Sequence, residues 1–169
     1  CVVRHCVAYL NSAGLMLTME GAGRSNLIEH CVAYGNYSPL NGEGCNIQVL
    51  GPNQDTIRNC YGYWGRDHNI SIYGRVKDAA QTGWIKNCLA WGAWLDLQQK
   101  GGFCGITENS IGFNRVRTSL MTNCLFGVKQ DCPAPDSIDL KAHWAQRGDE
   151  FADPENLDFR LQGTSQFRG

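Results

Sequence analysis

Proline, methionine and net charge are all scarce in this sequence. Its 169 residues include 5 prolines and 3 methionines, and 15 Lys and Arg against 16 Asp and Glu leave a formal net charge of −1. A chain with so little excess charge has no global field that would attract nucleic acid or an anionic membrane. No apolar run approaches the roughly 20 residues that a membrane-spanning helix requires. We therefore expect neither a nucleic-acid partner nor a membrane span.

Short catalytic and metal-binding signatures are also missing. The sequence has no Cys-x-x-Cys, His-Glu-x-x-His, Gly-x-Ser-x-Gly or Gly-x-x-x-x-Gly-Lys pattern, so the usual marks of zinc ribbons, zinc peptidases, serine hydrolases and nucleotide-binding loops are absent. Glycine, with 20 residues, and cysteine, with 9, are abundant instead. Glycine at this level indicates many tight turns, and 43% hydrophobic residues suit a single globular domain.

One seven-residue phrase recurs five times along the chain. It reads VRHCVAY at 3–9, IEHCVAY at 28–34, IRNCYGY at 57–63, IKNCLAW at 85–91 and MTNCLFG at 121–127. Successive anchoring cysteines are 25, 29, 28 and 36 residues apart. A second phrase, NIQV at 46–49 and NISI at 69–72, lies between the anchors, and we place LMLTM at 15–19 and SIGF at 110–113 in the same slot.

Short β-branched and aromatic phrases bounded by Gly, Asn or Asp are typical of strands. Repeats of 20 to 30 residues built from such strands predict a β-solenoid, in which coils stack and share one core. The interval of 36 predicts one ordinary coil with an excursion within 94–104. Since Cys1 already stands inside a repeat unit, we expect an earlier, N-terminal part of the same polypeptide to precede this chain.

The phrase I-x-N-C, with N-I-x-I or N-I-x-V upstream, resembles the coil repeat of right-handed parallel β-helices of the pectate-lyase type. Segment 153–162 is similar to the stretch that closes many secreted bacterial β-helix proteins, including polysaccharide-lyase-like ones. The resemblance covers nearly the whole chain. It implies an all-β, right-handed parallel β-helix over 1–132, an irregular C-terminal cap over 133–169, and an extracellular or cell-surface location. The five anchors set the number of coils at about five.

Stacking turns each position of the phrase into a column. The position three before the cysteine holds Val3, Ile28, Ile57, Ile85 and Met121, and we expect this column in the core. The next position holds Arg4, Glu29, Arg58, Lys86 and Thr122, which we expect to face water. The third holds His5, His30, Asn59, Asn87 and Asn123, an asparagine-type ladder at a turn, since Asn tolerates left-handed geometry.

The direction of the cysteine column stays open from alternation alone, because a bend just before it resets the pattern. The family pattern places the cysteines inward and Tyr9, Tyr34, Tyr63 and Trp91 outward, whereas strict alternation would bury the aromatics. Inward cysteines would behave as small buried hydrophobes. Disulfides between neighbouring coils, or between Cys124 and Cys132, are also sterically conceivable.

An outward aromatic stripe would suit sugar rings, whose apolar faces pack on aromatic faces. The substrate-binding candidates are Tyr34, Tyr63, Trp91, Trp64 and Trp94. The same stripe could instead be covered by a loop, a further domain or another chain. Two hypotheses follow: a carbohydrate-facing module that binds or processes an extracellular polysaccharide, and a non-catalytic structural solenoid that assembles with other protein chains.

The resemblance also implies a reaction for which the chain can be tested. Lyases of this fold remove a proton beside a uronate carboxylate with a Lys or Arg base, while Ca²⁺ or Arg neutralises that carboxylate. Arg58, Lys86 and Asp67 are the catalytic candidates, and Ca²⁺ would be the cofactor of an active lyase. The alternative is a solvated column of weak ion pairs, and the sequence has no compact Asp/Glu cluster of the kind that Ca²⁺ needs.

One patch of soft metal ligands stands out in the repeat. His5, Cys6, His30 and Cys31 form a two-by-two group on neighbouring coils. Because adjacent residues of a strand point to opposite faces, we expect no metal there.

Overall fold

The computed structural model describes residues 1–18, 25–37, 44–50, 54–73, 82–93, 95–100, 104–118, 120–130, 137–139, 151–153 and 158–161. Its strands are β1 (Val2–Arg4), β2 (Val7–Tyr9), β3 (Leu15–Thr18), β4 (Leu27–Glu29), β5 (Val32–Tyr34), β6 (Cys45–Leu50), β7 (Thr56–Arg58), β8 (Tyr61–Tyr63), β9 (His68–Tyr73), β10 (Thr82–Lys86), β11 (Leu89–Trp91), β12 (Leu95–Lys100), β13 (Cys104–Glu108), β14 (Ile111–Arg117), β15 (Leu120–Thr122), β16 (Leu125–Gln130), β17 (Ile138–Asp139), β18 (Phe151–Asp153) and β19 (Asp158–Leu161). The described ranges contain no helix. They therefore contain no helix that is long and apolar enough to cross a membrane.

Three consecutive strands make one coil, and successive coils stack in parallel. The first strands β1, β4, β7, β10, β13 and β15 form a six-stranded sheet. The second strands β2, β5, β8 and β11 and the third strands β3, β6, β9 and β12 form two further ladders. The longer β14 pairs with both β11 and β12 and so joins these ladders into one eleven-stranded sheet. The fold is therefore an all-β parallel solenoid, as the repeat predicted.

The predicted aliphatic column is the core. Ile28, Ile57, Ile85 and Met121 are fully buried, and Val3 packs against the same cluster from the first coil. Parallel register places each of these residues directly on its counterpart, Ile28 on Val3 and Ile57 on Ile28. The third strands close the other side of the core with residues such as Ile47 and Ile70.

The predicted asparagine-type ladder lies at the corner after each first strand. His5, His30, Asn59, Asn87, Asn109 and Asn123 all have positive φ, between 48° and 54°. The asparagines form hydrogen bonds along this column; Asn87 Nδ2, for example, donates to Asn59 Oδ1 at 3.2 Å. The rings of His5 and His30 stack with 5.3 Å between their centroids. A left-handed residue turns the chain sharply and resets the side-chain alternation.

That corner decides the direction of the cysteine column. Cys31, Cys60, Cys88 and Cys124 are buried in the core cluster, as expected from the family pattern. They are free thiols, so no disulfide links these coils. Each lies near the carbonyl oxygen two residues earlier, as Cys60 Sγ does to Arg58 O at 3.2 Å. Burial raises the pKa of Cys88 well above its usual value, which keeps this thiol protonated and unreactive.

The excursion predicted within 94–104 is wrong, and so is the count of about five coils. Leu95–Lys100 is an ordinary third strand, with Leu97 paired to Ile70. Cys104–Glu108 then begins another coil, in which Asn109 takes the corner. Ser110 replaces the anchoring cysteine and donates to Glu108 O at 2.8 Å. Counting cysteines therefore missed this coil and misplaced the SIGF phrase, whose Ile111 pairs with Leu89 of a second strand.

The C-terminal segment is described at three short stretches. Ile138 pairs in parallel with Leu125, and the Ser137 hydroxyl accepts a hydrogen bond from Cys124 N at 3.1 Å. Farther on, β18 and β19 pair antiparallel. Parallel stacking therefore continues to Asp139, and the role of 133–169 as a cap stays a prediction. Three complete coils, β1–β3, β4–β6 and β7–β9, have all their strands described with their side chains. Most residues of the candidate sites below lie on these coils, and the rest lie on the next coil.

Candidate functional site

The aromatic column faces outward, and its rings are stacked on one another. Tyr9 and Tyr34 lie 5.2 Å apart between ring centroids at 6°, and Tyr34 and Tyr63 lie 4.8 Å apart at 7°. Each ring therefore covers the face of the next, and the column presents mainly ring edges and hydroxyl groups to solvent. A sugar ring packs best on an open aromatic face, so these three tyrosines form a poorer platform than their outward position suggested.

Trp64, at the corner after the second strand, lies outside the parallel stack of tyrosine rings. Its side chain is 51% exposed, and its φ is 53°. The ring meets Tyr63 edge-on at 5.4 Å and is tilted against Trp91 at 5.6 Å. The same corner is left-handed in the neighbouring coils at Gly35 and Gly92.

Gly92 shows how tightly Trp64 is seated. A Cβ atom at Gly92 would lie 2.9 Å from Trp64 Cδ1, so the indole occupies the space that a side chain there would need. A left-handed conformation costs a non-glycine residue roughly 1–2 kcal/mol. A bulky, exposed tryptophan is thus held at a position that glycine would fill without strain.

A buried amide ladder fixes the backbone behind this aromatic corner. Asn36, Asn46, Asn69 and Asp96 are fully buried. Asn36 donates to Asn46 within one coil at 2.8 Å, and Asn46 to Asn69 and Asn69 to Asp96 continue the ladder between coils, with Nδ2–Oδ1 distances of 2.6 and 2.9 Å. The same amides hold the aromatic column, because Asn46 Nδ2 donates to Tyr63 O and Asn69 Nδ2 donates to Trp91 O. Sequence analysis missed this second ladder, although Asn46 and Asn69 open the repeated N-I-x-I phrase.

An exposed cation and a second exposed aromatic ring lie beside the same corner. Arg66, two residues after Trp64, has its guanidinium carbon 5.1 Å from the centroid of the Tyr37 ring. Both residues are exposed. Tyr37 N donates to Asn11 O at 2.7 Å, which ties its backbone to the preceding coil. The corner therefore combines aromatic surface with one positive charge.

Three potential metal ligands meet just after this corner. Cys45 Sγ lies 3.4 Å from His68 Nδ1, and Asp67 Oδ2 lies 2.9 Å from the same nitrogen. The three ligand atoms are all within 4.8 Å of one another. On the far side of the ring, Tyr73 Oη lies 3.1 Å from His68 Nε2. No spacing motif in the sequence marks this group, because its members come from different repeats.

The patch that sequence analysis did consider is divided between the two faces. His5 and His30 are exposed at the left-handed corner, whereas Cys31 is buried in the core.

Two of the predicted catalytic residues lie side by side. Arg58 and Lys86 are register partners on adjacent first strands. Each is engaged in an ion pair: Arg58 Nη2 lies 2.6 Å from Glu29 Oε2, and Lys86 Nζ lies 2.9 Å from Glu108 Oε2. Asp67 instead pairs with His68, at the next corner of the coil. The structure thus brings Arg58 and Lys86 together. The described ion pair of Asp67, with His68, lies at a different corner of the coil.

Glu29 departs from the expectation that its whole column faces water. Arg4 and Arg58 pair with it from both sides, and it is 4% exposed. The hydrogen bond from Arg58 is the main cause that lowers the pKa of Glu29, and the charge of Arg4 adds to it. The flanking arginines hold this carboxylate ionised beneath them.

Trp94, the remaining binding candidate, lies outside the described residues. Comparisons of the chain with protein-family models, with curated proteins and with solved structures found no match.

Proposed function

We propose that this chain is a carbohydrate-facing module, of the pectate-lyase-like β-helix type, that binds an extracellular polysaccharide at the corner marked by Trp64. The observation that carries the proposal is the exposed Trp64 indole on a left-handed backbone. Strained backbone persists where the surrounding structure fixes it, and it concentrates at functional sites. A rigid, exposed aromatic ring is also the group that packs on the apolar face of a pyranose at low entropic cost.

Neighbouring groups support an acidic polysaccharide in particular. Arg66 places an exposed positive charge two residues from Trp64, and the exposed Tyr37 ring lies beneath it. Arginine binds carboxylates with two parallel hydrogen bonds, as a uronate would allow. The stacked Tyr34 and Tyr63 rings, with Trp91 as the register partner of Tyr63, continue the surface along the solenoid axis, and the tyrosines offer hydroxyl groups for further hydrogen bonds.

The experiment compares Trp64→Gly with wild-type protein on a panel of neutral and uronate polysaccharides, by affinity electrophoresis and titration calorimetry. Aromatic packing worth about 1.4 kcal/mol corresponds to a tenfold loss of affinity. We expect a loss of about that size, while thermal stability changes little because glycine relieves the left-handed strain.

Leu10→Gly is the matched control. Leu10 occupies the same corner of the first coil, also with positive φ at 54°, and is 76% exposed. This variant should keep wild-type affinity. Equal binding by wild type and Trp64→Gly, or equal losses in the two variants, would contradict the proposal.

Processing of the bound polysaccharide is tested on the same panel. Unsaturated uronate product that appears with Ca²⁺, disappears with a chelator and is lost in Lys86→Ala would make this module a lyase. Binding without product would leave it a non-catalytic carbohydrate module.

Assembly with other protein chains is the second candidate, and the first coil favours it. Its exposed large apolar residues are Val2, Val7, Tyr9, Leu10 and Met16. Within the described sheets, β1, β2 and β3 pair on one side alone. An apolar strand edge of this kind pairs readily with further strands, and a parallel β-coil, of another chain or of an N-terminal part of the same polypeptide, would satisfy both its backbone groups and its side chains.

Sedimentation velocity tests this second candidate. Self-association that rises with concentration and is lost in Val7→Lys would support assembly through the first coil. A wild-type chain that stays monomeric throughout the concentration range would refute assembly with copies of itself.

A further inference from the structure

The group formed by Cys45, Asp67 and His68 brings a thiol, a carboxylate and an imidazole nitrogen together, with the three ligand atoms all within 4.8 Å of one another. Asp67 Oδ2 at 2.9 Å and Cys45 Sγ at 3.4 Å both approach His68 Nδ1. A cation in the middle would be bonded by all three atoms. We propose that these three side chains bind one Zn²⁺ ion.

The distances between the ligand atoms fit a shared tetrahedral ion. Zinc binds sulfur at about 2.3 Å and nitrogen or oxygen at about 2.0–2.1 Å, so two ligand atoms on one ion lie about 3.3–3.6 Å apart. The sulfur–nitrogen distance of 3.4 Å is within this range, and the nitrogen–oxygen distance of 2.9 Å is a few tenths shorter. A small rotation of the Asp67 carboxylate, which is about one third exposed, would widen it.

The surroundings fix the ligands in place. Tyr73 Oη contacts His68 Nε2 at 3.1 Å, and a partner at the second ring nitrogen is what orients a metal-binding histidine. Cys45 and His68 are register partners on the adjacent parallel strands β6 and β9. The residues that follow them, Asn46 and Asn69, are joined by a buried 2.6 Å hydrogen bond. The Gly44 carbonyl accepts from the backbone N–H groups of both Asp67 and His68.

The ligand chemistry selects the class of metal. A thiolate and an imidazole are ligands for zinc and similar transition metals, whereas Ca²⁺ and Mg²⁺ take oxygen ligands almost throughout. The alternative is a plain hydrogen-bonded pair of His68 and Asp67 with a neighbouring thiol. Three protein ligands leave a fourth position for water, and the partly exposed Asp67 brings the site to solvent.

The test uses Co²⁺, a coloured substitute for Zn²⁺, titrated into the untagged chain with a thiol-free reductant. We expect one Co²⁺ per chain, a near-ultraviolet band from thiolate-to-cobalt charge transfer, and release of cobalt by Zn²⁺ but not by excess Ca²⁺. Cys45→Ser should abolish the band. Asp67→Asn, at a partly exposed position that should not disturb folding, should weaken Co²⁺ binding at least about tenfold, since even outer partners of a metal site matter by 10 to 100-fold.

Cys6→Ser is the matched control, because Cys6 is another partly exposed free thiol that belongs to a different column. It should leave the band and the affinity unchanged. The proposal is overturned if no charge-transfer band forms, if Cys45→Ser keeps the band, if Cys6→Ser loses it, if Asp67→Asn binds as tightly as wild type, or if Ca²⁺ displaces cobalt. Because only the metal is added, the outcome is independent of polysaccharide binding.

Discussion

Replacing a buried asparagine should lower the free energy of unfolding of this solenoid more than replacing an exposed asparagine does. Asn69 is fully buried and makes four hydrogen bonds. Its Nδ2 donates to Trp91 O at 2.7 Å and to Asp96 Oδ1 at 2.9 Å. Its Oδ1 accepts from Asn46 Nδ2 at 2.6 Å and from Gly65 N at 3.0 Å. Asn69→Ala removes all four, although Trp91 O still accepts from Trp64 N, Asp96 Oδ1 still accepts from Ala93 N, and Asn46 Nδ2 still donates to Tyr63 O.

The expected loss follows from those partners. A hydrogen bond within a protein contributes roughly 0.5–1.5 kcal/mol net. Four lost hydrogen bonds at about 1 kcal/mol each give a loss of about 4 kcal/mol. This lies at the upper end of what single substitutions do, and breaking a buried hydrogen-bond network is one of the known causes of such values. Burial of the Asp96 carboxylate makes its loss of a donor the largest of the four.

Asn59→Gly is the control within the same fold. Asn59 also belongs to an amide ladder, between His30 and Asn87, but it is exposed. Glycine keeps its left-handed φ of 53° without strain. Water replaces the lost hydrogen bonds, so this variant should lose less than about 1 kcal/mol.

Urea denaturation of the two variants and the wild type, monitored by circular dichroism, measures both free energies of unfolding. The reasoning is refuted if Asn69→Ala and Asn59→Gly lose similar amounts. That result would mean that burial of the second ladder contributes nothing to its strength. A reduced denaturant slope in Asn69→Ala would instead show that the coils no longer unfold as one unit.

Ile57→Ala should lower the free energy of unfolding by about 3 kcal/mol, because it removes three buried carbons and leaves a cavity. Val7→Ala, at a residue that is 62% exposed, should lower it by less than about 0.5 kcal/mol. Urea midpoints measure both changes, and equal losses would contradict the placement of Ile57 in the core. Two carboxylates should give opposite pH dependence. The pKa of Glu29 is lowered by the Arg58 hydrogen bond, so wild type should exceed Glu29→Gln in stability above about pH 4.3 and lose that advantage as the pH falls through the lowered value. Burial raises the pKa of Asp55 despite its hydrogen bonds from Asn26, so wild type compared with Asp55→Asn should lose stability as the pH rises above about 3.9 and through the raised value. Unfolding free energies from pH 3 to 8 test both signs, and parallel profiles would contradict them.

In each of the two buried amide ladders, the last described member is an aspartate. Asn26 donates to Asp55, and the longer ladder runs from Asn36 to Asp96. An asparagine can accept from one coil and donate to the next, whereas a carboxylate only accepts. An aspartate therefore suits the last member of a ladder, where no donor is needed. Trp84 is the register partner of Thr56, so Gly83 lies opposite Asp55 on the adjacent strand. Glycine has no side chain, and therefore Gly83 offers no acceptor that could continue the ladder beyond Asp55.

The repeated phrase determined much of the fold by itself. Its period and its strand-forming residues predicted a parallel solenoid, and its columns predicted the aliphatic core of Ile28 and Ile57 and the left-handed Asn corner. These features are local and identical from coil to coil, so each repeat states them again. The prediction failed where the phrase changed: Thr107 takes the aliphatic core position, Ser110 replaces the cysteine with the same hydrogen bond to a carbonyl, and a whole coil went uncounted.

The candidate sites depended on distances that only stacking creates. Cys45 and His68 are 23 residues apart and meet because register pairs them on adjacent coils. The tyrosine column lost its open faces because the coil spacing, about 4.8 Å between strands, is close to the stacking distance of aromatic rings. Trp64 lies outside that stack because its left-handed corner places the ring over Gly92. Sequence alone determined which residues repeat, and the tertiary structure decided which of them touch, because contact between coils depends on register and corner geometry rather than on neighbours along the chain.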